Sequence, residues 1–264
     1  MLPVVLSEFR KAVSVRSTGV VVAVAFGWLL AVLGIELYGV ILYDGLDASS
    51  RSGFGLSRGD EIAPFGFQIC LVVFAILTFT NEHTYGTFGQ TLAATPSRGR
   101  VLAAKALVVT GFALAVGVIG QLVVVWGSFA LVGDRPIPGI EGPVLDELPM
   151  ALLWVLPIVT VPLAGVAVAV LARSTAVAIT VTLVVLAVVP RFVTALPEPW
   201  NARVGMFLPE DLTTQLHGGL PFAVDFDGVD PGLALSQTAA GAILVAYALV
   251  GLATAYAVIR RRDT

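Results

Sequence analysis

Six stretches of predominantly apolar residues, each long enough to cross a bilayer, constrain this chain more than any other feature. They cover residues 19–42, 62–80, 101–132, 148–171, 174–196 and 237–259. A hydrocarbon core of about 30 Å needs about 20 such residues in a helix. The apolar residues surround each stretch instead of marking one stripe, and barrel-type alternation is missing. The expected fold class is all-α, an integral membrane protein with six transmembrane helices in one domain spanning 1–264. Composition agrees. The chain is 57% hydrophobic and 12% charged, whereas soluble domains carry about 25% charged residues. So few charges cannot cover a soluble fold, which excludes an ordinary soluble enzyme, a disordered chain and a nucleic-acid binder. Cys70 is the one cysteine, and His83 and His217 lie far apart, so a disulfide framework or a cysteine-based zinc site has no ligands.

The first stretch follows Arg10, Lys11 and Arg16, as a signal peptide would. Its length and the lack of a clear small-residue cleavage site favour a retained helix. Orientation follows from the positive-inside rule. With the N-terminus inside, the cytoplasmic side holds ten of the fifteen basic residues and three of the eighteen acids, a net +7. The other side holds the remaining five arginines and fifteen acids, a net −10. Both termini are therefore expected in the cytoplasm. Scarce lysine and abundant Ala, Val and Gly fit a high-GC bacterial genome, and the expected location is a bacterial plasma membrane.

Two cytoplasmic segments carry information. In residues 2–18, Leu6, Phe9 and Val13 share one helix face, while Glu8, Lys11 and Arg16 are distributed around the rest. That pattern predicts an amphipathic helix lying in the interface, its basic residues among lipid headgroups. Residues 81–100 are polar, Thr-rich and punctuated by Gly86, Gly89, Pro96 and Gly99. Phe88 and Leu92 share a face of a short helix ending before Pro96. About 20 residues of ordered-looking sequence exceed what a connection needs, so this loop is a candidate docking surface for a cytoplasmic partner. On the external side the longest segment is 197–236. Pro209 followed by Glu210 and Asp211 predicts a short helix over 208–216, either a helical turn in a solvated loop or part of a packed cap.

The loop also resembles a known family. Glu82, Gly86-Thr87, the run from Thr91 through Leu92 and Pro96 to Arg98, and Lys105 are similar to the E-x-x-x-G-T…L-x-x-x-P-x-[ST]-R…K pattern of bacterial ABC-2 type transporter permeases. The N-terminal Ser7-Glu-Phe-Arg-Lys11 and the six-span layout agree with that family over nearly the full chain. The resemblance implies that the loop forms a coupling helix resting on a separate cytoplasmic ABC ATPase subunit. Glu82, Gly86, Thr87, Phe88, Leu92, Pro96 and Arg98 would lie in this coupling region. It further implies two permease chains, identical or paralogous, with two ATPase chains that hold ATP and Mg. The assembly would work as an exporter. Residues after span five would correspond to the family's re-entrant external helices.

The remaining chemistry is narrow. No G-x-x-x-x-G-K-[ST] loop exists, so this chain has no phosphate cradle, no ATP site and no cofactor of its own. Spans two, three, four and six offer no ionisable residue in their interiors for gradient coupling. Glu36 and Arg191 sit near the outer ends of spans one and five. Snorkelling to the interface explains them; a gate at the outer mouth is the functional alternative. A serine protease site fails, because both histidines lie in loops and Trp126-Gly127-Ser128 lacks the following glycine. Pro157 and Pro162 interrupt span four and Pro190 interrupts span five, as kinks or hinges. Small-residue pairs such as Ala23/Gly27 and Ala242/Ala246 permit close helix approach, but identify no dimer face in a chain so rich in Ala and Gly. The expected protein is a non-enzymatic permease subunit of an ATP-driven exporter for hydrophobic or amphipathic cargo. A non-transporting assembly or signalling subunit on the same scaffold is the alternative.

Overall fold

A backbone in lipid must satisfy its own N–H and C=O groups, and the apolar runs do so as helices. In the computed structural model the described residues are 1–51, 53–84, 98–138, 140, 142–172, 174–220 and 234–261; for Ala48, residues 81–84 and Arg98 only the backbone is described. Six helical segments among them are long and apolar enough to cross a membrane. In chain order the elements are α1 (Leu2–Ser14), α2 (Arg16–Gly45), α3 (Ala48–Arg51), α4 (Gly59–Thr84), α5 (Arg98–Val132), α6 (Val144–Leu153) and α7 (Val155–Ala172). They continue with α8 (Thr175–Leu183), a π-helical turn (Val184–Val188), α9 (Val189–Thr194), α10 (Trp200–Gly205), α11 (Pro209–Leu216) and α12 (Gln237–Arg261). No strand occurs among the described residues.

Two spans form the centre. α4 and the α6–α7 span are about two-thirds buried (67% and 61%), whereas α2, α8–α9 and α12 are 28%, 28% and 22% buried. α7 packs against both α4 and α12, and α2 and α5 flank α4. The core holds Phe67, Leu71 and Phe74 of α4, Val109 and Ala113 of α5, Ile158 and Val166 of α7, and Leu244 of α12. Phe74 stacks on Phe112 of α5 with ring centroids 4.5 Å apart. The outer face of α2 leaves Val20, Val24, Phe26, Leu30 and Ile41 exposed. An exposed apolar surface of that extent is stable against lipid, not water.

The helices extend a few residues beyond the apolar runs, because polar residues at membrane interfaces continue a helix without cost. Inside the spans, proline decides the irregularities. The fourth span breaks at Trp154, not at the expected Pro157. Pro157 has no N–H for the Leu153 carbonyl four residues earlier, and its ring crowds that carbonyl. The Trp154 N–H turns back instead to the carbonyls of Ala151 and Leu152. Pro162 stays within α7. In span five the Val189 N–H reaches Val184 across a π-helical turn, and the wider turn makes room for the ring of Pro190. Pro64 lies inside α4 and cannot donate to the Asp60 carbonyl. Gln121 of α5 fills that vacancy, its Nε2 donating to the Asp60 oxygen at 3.1 Å.

The six crossings place α1 and the C-terminal end of α12 at one end of the bundle, where Gly99 at the start of α5 faces Tyr256 of α12. At the far end, α10 and α11 form a packed cap instead of a solvated loop. Asp211, Leu212, Thr213, Gln215 and Leu216 of α11 are buried. Gln215 fastens the cap: its Nε2 donates to the Met206 carbonyl at 2.9 Å and its Oε1 accepts from the Leu235 N–H at 2.7 Å. Tyr247 of α12 donates to the Phe207 carbonyl at 2.8 Å.

Candidate functional site

At the α1 end, Leu6, Phe9 and Val13 form the expected exposed face, while Glu8 and Ala12 turn inward. The inward position of Glu8 differs from its expected place on the polar side of an interfacial helix, and its partners explain why. Its Oε1 accepts from Lys11 Nζ at 2.6 Å and its Oε2 from Lys105 Nζ at 2.8 Å. Lys105 also donates to the Thr78 carbonyl of α4 at 2.9 Å and lies 5.8 Å from the centre of the Phe79 ring. Glu8 and Lys105 are 2% and 4% exposed. Lys105 is therefore a buried charge inside the third span, where an interior free of ionisable groups was expected. The chain turns between α1 and α2 at Val15, whose backbone is extended. Thr18 closes that turn by donating to the Ala12 carbonyl. Lys11 is half-exposed and Arg16, at the start of α2, is exposed.

This end also holds both roots of the connection between α4 and α5. Glu82 lies in the last turn of α4 and Arg98 is the first residue of α5. Their side chains, and Gly86, Thr87, Phe88, Leu92 and Pro96 entirely, lie outside the described residues. Beside the roots, Thr175 at the start of α8 donates to Thr80 of α4 at 2.8 Å.

The far end is more polar than its sequence suggested. Glu36 does not snorkel. It is 1% exposed, with Ser128 Oγ 2.7 Å from both carboxylate oxygens and the Gly59 N–H donating to Oε1 at 2.7 Å. Gly59 permits this approach, because a Cβ there would fall 2.6 Å from Glu36 Oε1. Next to it Arg58 donates to Asp60 at 3.1 Å and to Glu147 of α6 at 2.7 Å. Burial works to lower the Arg58 pKa, but the two carboxylates outweigh it and hold the guanidinium above its ordinary value. Arg191 meets Glu210 at 3.2 Å with 60% of its side chain exposed. Glu36 and Arg191 thus have separate partners and do not pair with each other.

Between α4, the π-helical turn, α9 and α11 lies a cavity of about 480 Å³, within the roughly 300–1,000 Å³ range of ligand pockets. Trp154, Phe65 and Leu186 contribute apolar wall, and Glu61, Gln68 and Glu210 contribute polar wall. The rings of Trp154 and His217 stack with centroids 3.7 Å apart. His217 Nδ1 lies 2.8 Å from the Thr213 carbonyl, which accepts, so Nδ1 carries the proton of the neutral ring. Burial keeps the imidazole below its ordinary pKa against the opposing effect of that hydrogen bond. The sequence did not single out Glu61, Gln68 or His217 as site residues, and it placed His217 only as a histidine in a loop. Glu61 and Gln68 lie two helical turns apart on α4, but His217 follows α11, and no local pattern links it to them.

The six membrane-length helices, buried polar junctions and apolar exterior define a multi-pass, membrane-embedded protein. Over residues 46–264 the chain matches the family described as a protein of unknown function, DUF2705, and it belongs to that family. No curated protein matches the chain.

Proposed function

We propose that this chain is the membrane-spanning permease subunit of an ABC-2 type exporter, moving hydrophobic or amphipathic cargo outward by alternating access. In this reading the chain lies in a bacterial plasma membrane with both termini cytoplasmic. A second permease copy, identical or paralogous, and two ATPase subunits complete the transporter, and ATP with Mg binds the ATPases. The α4–α5 connection rests on the ATPase, and the re-entrant elements expected after span five correspond to α10 and α11.

The observation that carries the reading is the buried Glu8–Lys105 pair. It ties α1 to α5 seven residues beyond Arg98, where the Glu82–Lys105 motif ends. A displacement of the α4–α5 connection is then transmitted to α1 as well as to the two spans it joins. A partner moves such an element only through contacts that differ between two states, and the polar, Thr-rich connection provides surface for them. Reconstitution with the ATPase tests the reading: cargo should stimulate ATP hydrolysis and accumulate in inside-out vesicles. Glu82→Gln and Arg98→Gln should weaken co-purification with the ATPase or uncouple hydrolysis, while membrane insertion stays intact. A complex that hydrolyses ATP yet moves no cargo in either direction would favour a non-transporting assembly or signalling subunit.

A further inference from the structure

We propose that the cavity between α4, the π-helical turn and the α11 cap binds a lipophilic organic cation. Three observations carry this. First, His217 lines the cavity, and its buried Nε2 has no hydrogen-bond partner among the described residues. A buried acceptor without a partner is costly unless a ligand or water completes it. Second, the charge around the cavity is unbalanced. Glu210 is answered by Arg191 at 3.2 Å. Glu61 has only Arg58 Nε at 3.7 Å, on a guanidinium already hydrogen-bonded to Asp60 and Glu147. The Glu61 carboxylate is 59% exposed, so it is accessible to a positive charge. Third, the rest of the wall combines the apolar and aromatic Trp154, Phe65 and Leu186 with the uncharged Thr213 and Thr214, and Arg191, which also lines it, is the cation that faces Glu210. Aromatic faces attract cations, and apolar groups displace water from such a surface. His217, held neutral by burial, adds no competing positive charge near pH 7. An anion of the same shape would meet Glu61 and Glu210 unfavourably.

The site is tested on the purified chain in nanodiscs without an ATPase, so the outcome is independent of the transport reading. Equilibrium dialysis compares tetraphenylphosphonium with tetraphenylborate, two ions of like size and shape and opposite charge, with empty nanodiscs subtracted for lipid partition. The phosphonium should bind saturably near one per chain and the borate should not. Glu61→Gln should weaken phosphonium binding about fivefold; its exposed side chain makes misfolding an unsuitable explanation, which an unchanged thermal transition verifies. Arg191→Gln should strengthen binding, since it leaves Glu210 unanswered. Equal binding of both ions, no saturable phosphonium binding, or Glu61→Gln binding equal to the unsubstituted chain would overturn the proposal. Weaker phosphonium binding in Arg191→Gln would overturn it too.

Discussion

Among the described residues, charged side chains are buried only where other groups complete them. Glu36 has the Gly59 N–H and the Ser128 hydroxyl, and Glu8 has two ammonium groups. In both cases one partner is remote: Ser128 lies 92 residues from Glu36, and Lys105 meets Glu8 from another helix. A sequence shows such a residue as a charge near the end of an apolar run, for which snorkelling is the simplest account. Lys105 illustrates the ambiguity, since four residues inside a span it reads as loop charge until α1 is seen packed over it. The pair makes a definite prediction. Truncating one partner leaves the other buried and uncompensated, so Glu8→Gln or Lys105→Met should each cost about 3 kcal/mol or more. The double variant should cost clearly less than the sum of the two. Thermal unfolding of the four proteins in one detergent gives the coupling directly, and additive losses would mean that the two charges do not interact.

At the scale of helices, proline and glycine act according to their surroundings. Pro157 and Pro190 were visible as interruptions, but the broken turn at Trp154 and the π-helical turn at Val184–Val188 depend on how the neighbouring backbone relieves each ring. Pro64 produces no break, because Gln121 takes over the hydrogen bond that it vacates. Small residues divide in the same way. Gly66 is needed because a Cβ there would run into the Trp28 indole, whose Nε1 donates to the Ala63 carbonyl at 3.1 Å. Gly251 lets α12 meet α7 backbone to backbone: a Cβ would lie 2.8 Å from Ala164 Cα and 3.0 Å from its carbonyl oxygen. Gly27, from a small-residue pair noticed in the sequence, has nothing within 4 Å of an added Cβ. Gly251→Val should therefore destabilise the bundle by about 1–3 kcal/mol. Gly27→Ala should be neutral or stabilise α2 by up to about 1 kcal/mol. Denaturant unfolding of both variants checks the contrast, and similar losses at the two positions would show that α12 does not rely on this close approach.

For the whole molecule, the charge asymmetry predicts an orientation. Cysteines introduced at Ser14, the exposed end of α1, and at Glu198, exposed before α10, should respond oppositely to a membrane-impermeant maleimide. In intact cells Glu198→Cys should label and Ser14→Cys should label only after permeabilisation, with buried Cys70 silent; the reverse pattern would invert the topology. The number of spans, their helical nature and the helix after Pro209 could be read from the chain alone. Each is a local property, set by consecutive apolar residues, by 3.6-residue spacing, or by proline and acids at a helix start. Tertiary structure alone decided which spans are central, that α10 and α11 form a packed cap, and that Glu36 and Arg191 have different partners. It also decided that Glu61, Gln68 and His217 share one cavity. Burial and pairing are properties of surfaces brought together from distant parts of the chain. Hydrophobic association in water is non-directional, and within lipid it no longer separates helix from helix, so close packing and polar contacts choose the arrangement. Those contacts have no fixed spacing in the sequence.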